Sequence, residues 1–386
     1  MDRIKKLKIG WLIPYSGIFK ELRKDLQQGL DTAFKKEGAG VNIESFSEFI
    51  QSGSIKVTED SLKKLLHYNQ VDLVMGVVGS KTATAIIPLL ENHRTPALLL
   101  NLGADLPNRQ LSSDYFFYNS LHLWKSQWAI GKWMQHIYKG EPSINLSVYE
   151  SGYALQESFR IGTSASGATT LKVNLVRNIS GPPDTMPLIR YIQDQRSPHI
   201  HVLLSGKEGE QFLQLYQQHI GPNSTGISVN PFMVEDDFEV SLPPGLELFN
   251  ATTWTRSLNT PDNNTFIRAY TADWDEPPNV FSLLAYEAGL VLATALAGNN
   301  QKISKASLTA ALSQTHAVGP RGVVSVSTRP LRTTLPVYIR KPLPSSHTGR
   351  PENAIITTSS GIEWDDPVLL AEKALITGWQ NPYLCV

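Results

Sequence analysis

The chain has 386 residues, 35 basic and 35 acidic side chains, and one cysteine. That length holds two or three domains' worth of core. Zero formal net charge argues against a general polyanion binder, so no nucleic-acid partner is expected, and the lone Cys385 excludes both an intramolecular disulfide and a cysteine metal cluster.

The opening stretch MDRIKKLKIGWLIPY has charges but no long apolar run before its first strand, so no signal peptide is expected in this chain. Such a protein either stays inside the cell or is a mature form with a new initiator methionine. KIGWLI (8–13) reads as a short apolar strand. The following helix places Leu22, Leu26, Leu30, Ala33 and Phe34 on one face. VDLVMGVVGSKTATAIIPLL (71–90) reads as strand, small-residue turn and helix start. As a phosphate loop it fails at two defining positions, where Met75 and Ser80 replace glycines. What remains is a helix N-terminus beside Ser80 and Thr82, a place for a carboxylate or another small polar group. Taken alone, the stretch is read more simply with Ser80 capping its own helix. PALLLN (96–101) is another continuous apolar run, as expected of a strand covered on both faces. The first part is therefore a βαβ pattern in an open α/β sheet.

The pattern restarts after an ordered crossover, YFFYNSL (115–121). INLSVYE (Ile144–Glu150) is a new first strand. Helix and strand then alternate through YALQESFRIGTSA, LKVNLVRNI, MPLIRYIQDQ, HIHVLLSG, EGEQFLQLYQQHI and GISVNPF. Helical patterns return in NTFIRAYTADW, VFSLLAYEAGLVLATALAG (280–298) and SKASLTAALSQ, followed by a β-rich end, RGVVSVSTRPLRTTLPVYIRKP. The apolar 280–298 segment is long enough to span a membrane, but Glu287 lies near its middle and Gly298-Asn299-Asn300 stops it. It reads as a buried core helix. Sequons at Asn145, Asn178, Asn223, Asn250 and Asn263 are acceptor patterns only.

Enzymatic readings are weak. His199 and His201 share one strand face, but a third metal ligand is not evident. Asp273, Asp275 and Glu276 precede Pro277-Pro278 and read as a solvated loop. Neither a G-x-S-x-G elbow nor a G-x-G-x-x-G turn occurs. No catalytic residue, metal or cofactor is expected.

Two tandem α/β units followed by material that crosses back put strand ends on opposite walls of one cleft, the hinge arrangement of binding proteins. In order and spacing, nearly the whole chain resembles a type I periplasmic binding protein of the leucine/isoleucine/valine-binding branch that serves ABC transporters. Pro14-Tyr15-Ser16-Gly17 resembles the family's strand-then-Ser-Gly opening. Gly76-Val77-Val78-Gly79-Ser80 resembles its Gly-x-x-x-Ser turn, whose serine meets the ligand carboxylate. Leu100–Asp105 sits at its small-residue loop, Tyr153 at the tyrosine opening the first helix of the second lobe, Phe281 and Ala285-Tyr286-Glu287-Ala288 on its long apolar helix, and VGPRGVVSVS at its Gly-Pro entry to the closing hairpin.

The resemblance implies two Rossmann-like lobes around a central cleft, joined by three crossover strands near 118–122, 249–253 and 329–337. The first lobe would be 1–119 plus 252–330 and the second 120–251 plus 331–386. It implies ligand contacts at Tyr15, Ser16, Phe19, Ser80, Gly103, Asp105, Tyr153, Lys207, Phe232 and Phe281. Trp124, Trp128 and Arg23 are further candidates, each with a simpler reading as core or solvated face. Asp105 stands where the family has a threonine, Lys207 where it has an aromatic, and Phe232 where an acid would hold an α-ammonium; Glu235 or Asp236 would restore that acid after a slip in alignment. The implied function is an extracytoplasmic solute-binding protein, periplasmic or extracellular. It would capture an amino-acid-like or aromatic acid by hinge closure and deliver it, as a monomer, to an ABC transporter permease. A ligand-sensing regulator of the same fold is the alternative.

Overall fold

The computed structural model describes residues 5–38, 40–106, 112–177, 182–222, 225–297, 304–326, 335–344, 350–359, 362 and 379–384. Cys385, the sequons at Asn178 and Asn223, the Gly298 stop signal and most of the expected third crossover lie outside these residues. The first sheet has the order β2-β1-β3-β4-β5 and is parallel throughout. Its strands are β1 (Lys5–Ile13), β2 (Val41–Phe49), β3 (Leu73–Val77), β4 (Ala97–Asn101) and β5 (Phe116–Ser120). Helices α1 (Leu22–Glu37), α2 (Ile55–Lys63) and α3 (Ser80–Asn92) connect them. β3 is wholly buried, which is why it reads as an unbroken apolar run. β2 is an edge strand, half exposed and rich in Glu and Ser, so no apolar run announces it.

The second sheet has the order β14-β13-β10-β9-β8-β6-β7. β6 (Ser143–Ser147), β7 (Lys172–Val176), β8 (His199–Leu203), β9 (Gly226–Val229) and β10 (Leu248–Thr252) run parallel. β13 (Val337–Pro344) and β14 (Pro351–Ser359) add antiparallel. The expected strand Ile144–Glu150 is corrected here. Pairing ends at Ser147 on one side and Leu146 on the other, and Val148–Ser151 forms the single turn α5. Helices α4 (Leu123–Tyr138) and α6 (Leu155–Ser164) pack closely; a Cβ at Gly162 would lie 2.1 Å from the Trp128 carbonyl oxygen. Trp124 and Trp128 are buried on α4, in accord with the core reading. Helices α7 (Met186–Gln195) and α8 (Gly206–His219) complete this layer.

After β10 the chain returns to the first sheet through α9 (Pro261–Trp274) and α10 (Val280–Ala297), then α11 (Lys305–Gln314) and the hairpin of β11 (His316–Gly319) and β12 (Gly322–Ser325). α10 is apolar and long enough to cross a membrane, yet 89% of it is buried against α1 and the sheet. A Cβ at Gly29 of α1 would stand 2.2 Å from the Ser282 carbonyl oxygen, so glycine permits this approach. The two histidines of β8 are core residues. His199 Nε2 lies 2.8 Å from Gln135 Oε1, and His201 Nδ1 lies 2.8 Å from Ser228 Oγ with its ring stacked on Phe159. Burial lowers their pKa values to about 4 and about 3, which keeps both neutral. Asp273 pairs with Lys35 and Glu276 with Lys24, so these carboxylates are separate surface ion pairs.

The two crossovers that are described meet at one buried ion pair. Arg321 donates through Nε to both Glu287 carboxylate oxygens, at 3.0 and 3.1 Å. Its remaining nitrogens reach Ser120 O at 2.8 Å, Asn119 Oδ1 at 3.0 Å and Thr253 Oγ1 at 3.3 Å. Asn119 donates back to Glu287, and the Thr253 hydroxyl donates to Leu121 O at 2.6 Å. One guanidinium therefore touches the end of β5, the residue after β10, and α10. Glu287→Ala, which strands the Arg321 charge, should destabilise the protein by about 3–5 kcal/mol in urea unfolding. The double change Glu287→Leu/Arg321→Met should cost clearly less than Glu287→Ala alone; equal losses would mean that the unpaired charge is not the cause.

Candidate functional site

Parallel strands end in loops at their carboxyl edges, and those edges of the two sheets face each other. From the first sheet come the loops after β1 (14–19), β3 (78–82) and β4 (102–105). From the second come those after β6 (148–153), β8 (204–207) and β9 (230–233). The lobes are in contact: Ala154 N donates to Ala104 O at 3.1 Å across the junction. Phe19, in the loop before α1, packs edge-on against Phe281 of α10 at 4.8 Å and against Phe232 at 5.8 Å. Phe232 lies on the 3₁₀ turn Pro231–Met233 that follows β9, so the aromatic seam joins both sides.

Residues 379–384 run through this junction. The Ser16 hydroxyl donates to Leu384 O at 3.1 Å and accepts from Phe19 N at 3.0 Å. The Thr82 hydroxyl lies 3.0 Å from both Gln380 O and Gly53 O, and Ile55 N donates to the Gln380 side chain. From the opposite lobe, the Tyr153 hydroxyl donates to Pro382 O at 3.3 Å, Asn381 Nδ2 donates to that hydroxyl at 3.0 Å, and Trp379 Nε1 donates to Tyr149 O at 3.0 Å. Two glycines make room: a Cβ at Gly79 would stand 2.5 Å from Gln380 O, and one at Gly152 would overlap the Trp379 indole.

One contact of this segment is a buried polar cluster. Tyr383 OH donates to Glu150 Oε2 at 2.7 Å and accepts from Asn230 Nδ2, while Ser205 Oγ donates to Glu150 Oε1 at 2.8 Å. Glu150 is fully buried. Burial pushes its pKa up to about 7, against the opposing pull of the Tyr383 and Ser205 hydrogen bonds.

A family model described as "Periplasmic binding protein" matches residues 6–341. The chain belongs to the periplasmic binding protein family. Among solved structures it is similar to the solute binding protein of an ABC transporter from Rhodopseudomonas palustris BisB5, in complex with 3,4-dihydroxybenzoic acid. The TM-score is 0.75 at 20% identity, over 93% of this chain and 99% of that one. An ABC transporter substrate-binding protein from Sphaerobacter thermophilus gives 0.78 at 19% identity, over 94% and 100%. LivJ from Streptococcus pneumoniae, in complex with isoleucine, gives 0.70 at 15%, over 93% and 100%. A search of curated protein sequences returns no match.

Within this periplasmic binding protein, Ser16, Phe19, Tyr153, Phe232 and Phe281 converge on the junction and are buried. Gly103 and Asp105 are half-buried in the loop after β4; Gly103 has φ +70°, and a Cβ there would press on Ser120 Oγ. Tyr15 and Arg23 are exposed and line an open cavity of about 540 Å³ with Ser16, Phe19 and Glu48. Lys207 is exposed on the first turn of α8, outside the buried cluster. Ser80 is the first residue of α3, with Gly79 as the N-cap and no side-chain cap, so the capping reading is corrected. Glu235 and Asp236, the alternatives left open for an ammonium-binding acid, are both engaged elsewhere. Glu235 is held by both terminal nitrogens of buried Arg340, and Asp236 by Asn353 and Arg256. A fully buried acid at the junction is Glu150, which the strand reading of Ile144–Glu150 concealed. Ser205, Asn230 and Tyr383 were also missed, whereas Thr82 was named beside Ser80; the only sequence signal of Ser205 and Asn230 is position just past a strand, and Tyr383 has none.

A carboxyl raised from 4.5 to about 7 in the fold binds its proton more tightly there than in the unfolded chain. Its contribution is complete below pH 4.5 and is lost as pH rises through about 7. Wild-type stability, relative to Glu150→Gln, should fall by roughly 3 kcal/mol between pH 4.5 and pH 8. Urea unfolding of both proteins isolates this effect from other buried carboxyls such as Asp25. Parallel pH profiles would refute it.

Proposed function

We propose that the chain is an extracytoplasmic solute receptor, periplasmic or extracellular. It closes two lobes on a small carboxylate-bearing ligand with an aromatic body and delivers it to an ABC transporter permease. The lobes are 1–119 with 252–330 and 120–251 with 331–386, and the receptor works as a monomer. The observation that carries this reading is the convergence of both sheets' strand ends on one junction lined by Phe19, Phe232, Phe281 and Tyr153 beside a buried polar cluster. The relatives lend support: one was crystallised with 3,4-dihydroxybenzoic acid and another with isoleucine, and both ligands carry a carboxylate.

Ser80 opens α3, where free N–H groups and the helix dipole favour an anion, so it is assigned to the ligand carboxylate. Gly103 and Asp105 form the rim beside it. One charged hydrogen bond contributes about 1.5–3 kcal/mol, whereas micromolar binding needs about 8 kcal/mol. Burying an aromatic ring of about 150–250 Å² supplies roughly 4–6 kcal/mol of the remainder. An aliphatic α-amino acid fits less well. Glu235 and Asp236 are engaged elsewhere, so neither is available to an α-ammonium. An α-ammonium left unpaired in the closed cleft would cost several kcal/mol.

A thermal-shift panel of amino acids, aromatic acids, short dicarboxylates and polyols tests the reading. An aromatic acid at a hundredfold excess over its Kd should stabilise the protein by about 2.7 kcal/mol, and Ser80→Ala should weaken that ligand about tenfold or more. Leucine or valine giving the largest shift, with aromatic acids inert, would contradict the ligand assignment.

A further inference from the structure

The 379–384 segment behaves as a ligand does. It has no regular secondary structure, yet Tyr383 and Leu384 are only 4% and 1% exposed. Its partners are divided between the lobes: Ser16 and Thr82 on one side, Tyr149, Glu150 and Tyr153 on the other. These residues stand at the carboxyl ends of the strands, where open α/β sheets take their ligands. Most of the contacts are single hydrogen bonds to backbone atoms. The side chain that reaches the buried polar cluster is a phenol.

The chemistry of that pocket selects a phenol. Glu150 offers an acceptor and Asn230 a donor to the same oxygen, so the occupant must both give and receive a hydrogen bond there. A hydroxyl does both. A carboxylate would face the Glu150 charge, and a bare ring would leave Asn230 Nδ2 without this acceptor. Tyr149 and Tyr153 supply the walls, at 6.2 and 4.8 Å between ring centres.

We propose that residues 379–384 are a built-in ligand: the Tyr383 phenol occupies a hydroxyl-recognition site formed by Glu150, Ser205 and Asn230, and a phenol-bearing solute binds by displacing it. The inference rests on the solute-receptor reading and names the class of solute. A tethered group competes at an effective concentration that an external solute must exceed, so the apparent affinity falls by the fraction of time the site is uncovered. The carboxylate of a phenolic acid would then face the Ser80 turn of the other lobe.

p-Cresol, the tyrosine side chain as a free molecule, is the probe. Millimolar p-cresol should raise the melting temperature of full-length Tyr383→Ala, leave wild type unmoved, and act more strongly than toluene, which lacks the hydroxyl. Equal shifts in both proteins, or toluene matching p-cresol, would overturn the inference. Tyr383→Phe gives a second reading if the alanine variant does not fold. Loss of the hydroxyl should speed amide exchange at residues 380, 381, 383 and 384 by about tenfold, the ratio expected for one lost hydrogen bond, and unchanged exchange would overturn the inference. The solute reading is separable. If it alone fails, no carboxylate stabilises either protein while p-cresol still rescues Tyr383→Ala. If the built-in ligand alone fails, 4-hydroxybenzoate binds both proteins alike and p-cresol rescues neither.

Discussion

The Glu287–Arg321 pair holds the two lobes in their relation. A buried ion pair is a poor source of stability by itself, because removing two charges from water costs about what their attraction returns. Its value lies in geometry. The five guanidinium donors have fixed directions, and here they reach the carboxylate, the end of β5 and the residue after β10 together. The apolar α10 makes this possible by carrying one charge into a core of Leu, Val and Ala, where Glu287 is fully buried. Any rotation of one lobe against the other must turn about this point or break it.

The rest of the junction follows from that anchor. With the crossovers fixed at one end, the loops after β1, β3, β6, β8 and β9 can only approach or separate at the other. The Phe19 seam and the Ala104–Ala154 hydrogen bond hold them closed. Closure would bury Glu150 Oε2 without its hydrogen-bond donor if the space were empty. Tyr383 and Ser205 satisfy both of its oxygens, and Asn230 satisfies the phenol in turn. The polar cluster is therefore complete with the chain's own side chains, and a closed junction needs no solute to satisfy it.

The two-lobed α/β architecture was legible because buried parallel strands such as β3 and β4 are unbroken apolar runs and the helices between them are amphipathic. β2 stayed hidden because an edge strand with Glu44, Ser45, Ser47 and Glu48 looks like a loop. Glu287, with the Gly298-Asn299-Asn300 stop, separated a core helix from a membrane span, and the structure supplies the partner that explains its burial. In the candidate site, Ser16, Phe19 and Tyr153 were expected only through the family resemblance, which places them in the turns after strands. Glu150 was not, since it was read as the last residue of a strand. The meeting of Glu150 with Tyr383 joins residues far apart in the chain and depends on the whole fold, so no local pattern encodes it. The slip that would have made Glu235 an ammonium partner failed for a similar reason: its partner, Arg340, belongs to a strand that returns from much later in the sequence.

When no solute is bound, the protein closes on its own segment. The distance between the lobes in ligand-free protein measures this most directly. Probes attached at Tyr68 and Tyr191, exposed by 83% and 42% on opposite lobes, with Cys385 replaced by serine, would report it by electron–electron resonance or single-molecule energy transfer. The account predicts one dominant short-distance population in the absence of any added ligand. A dominant open population that shortens only when solute is supplied would contradict it.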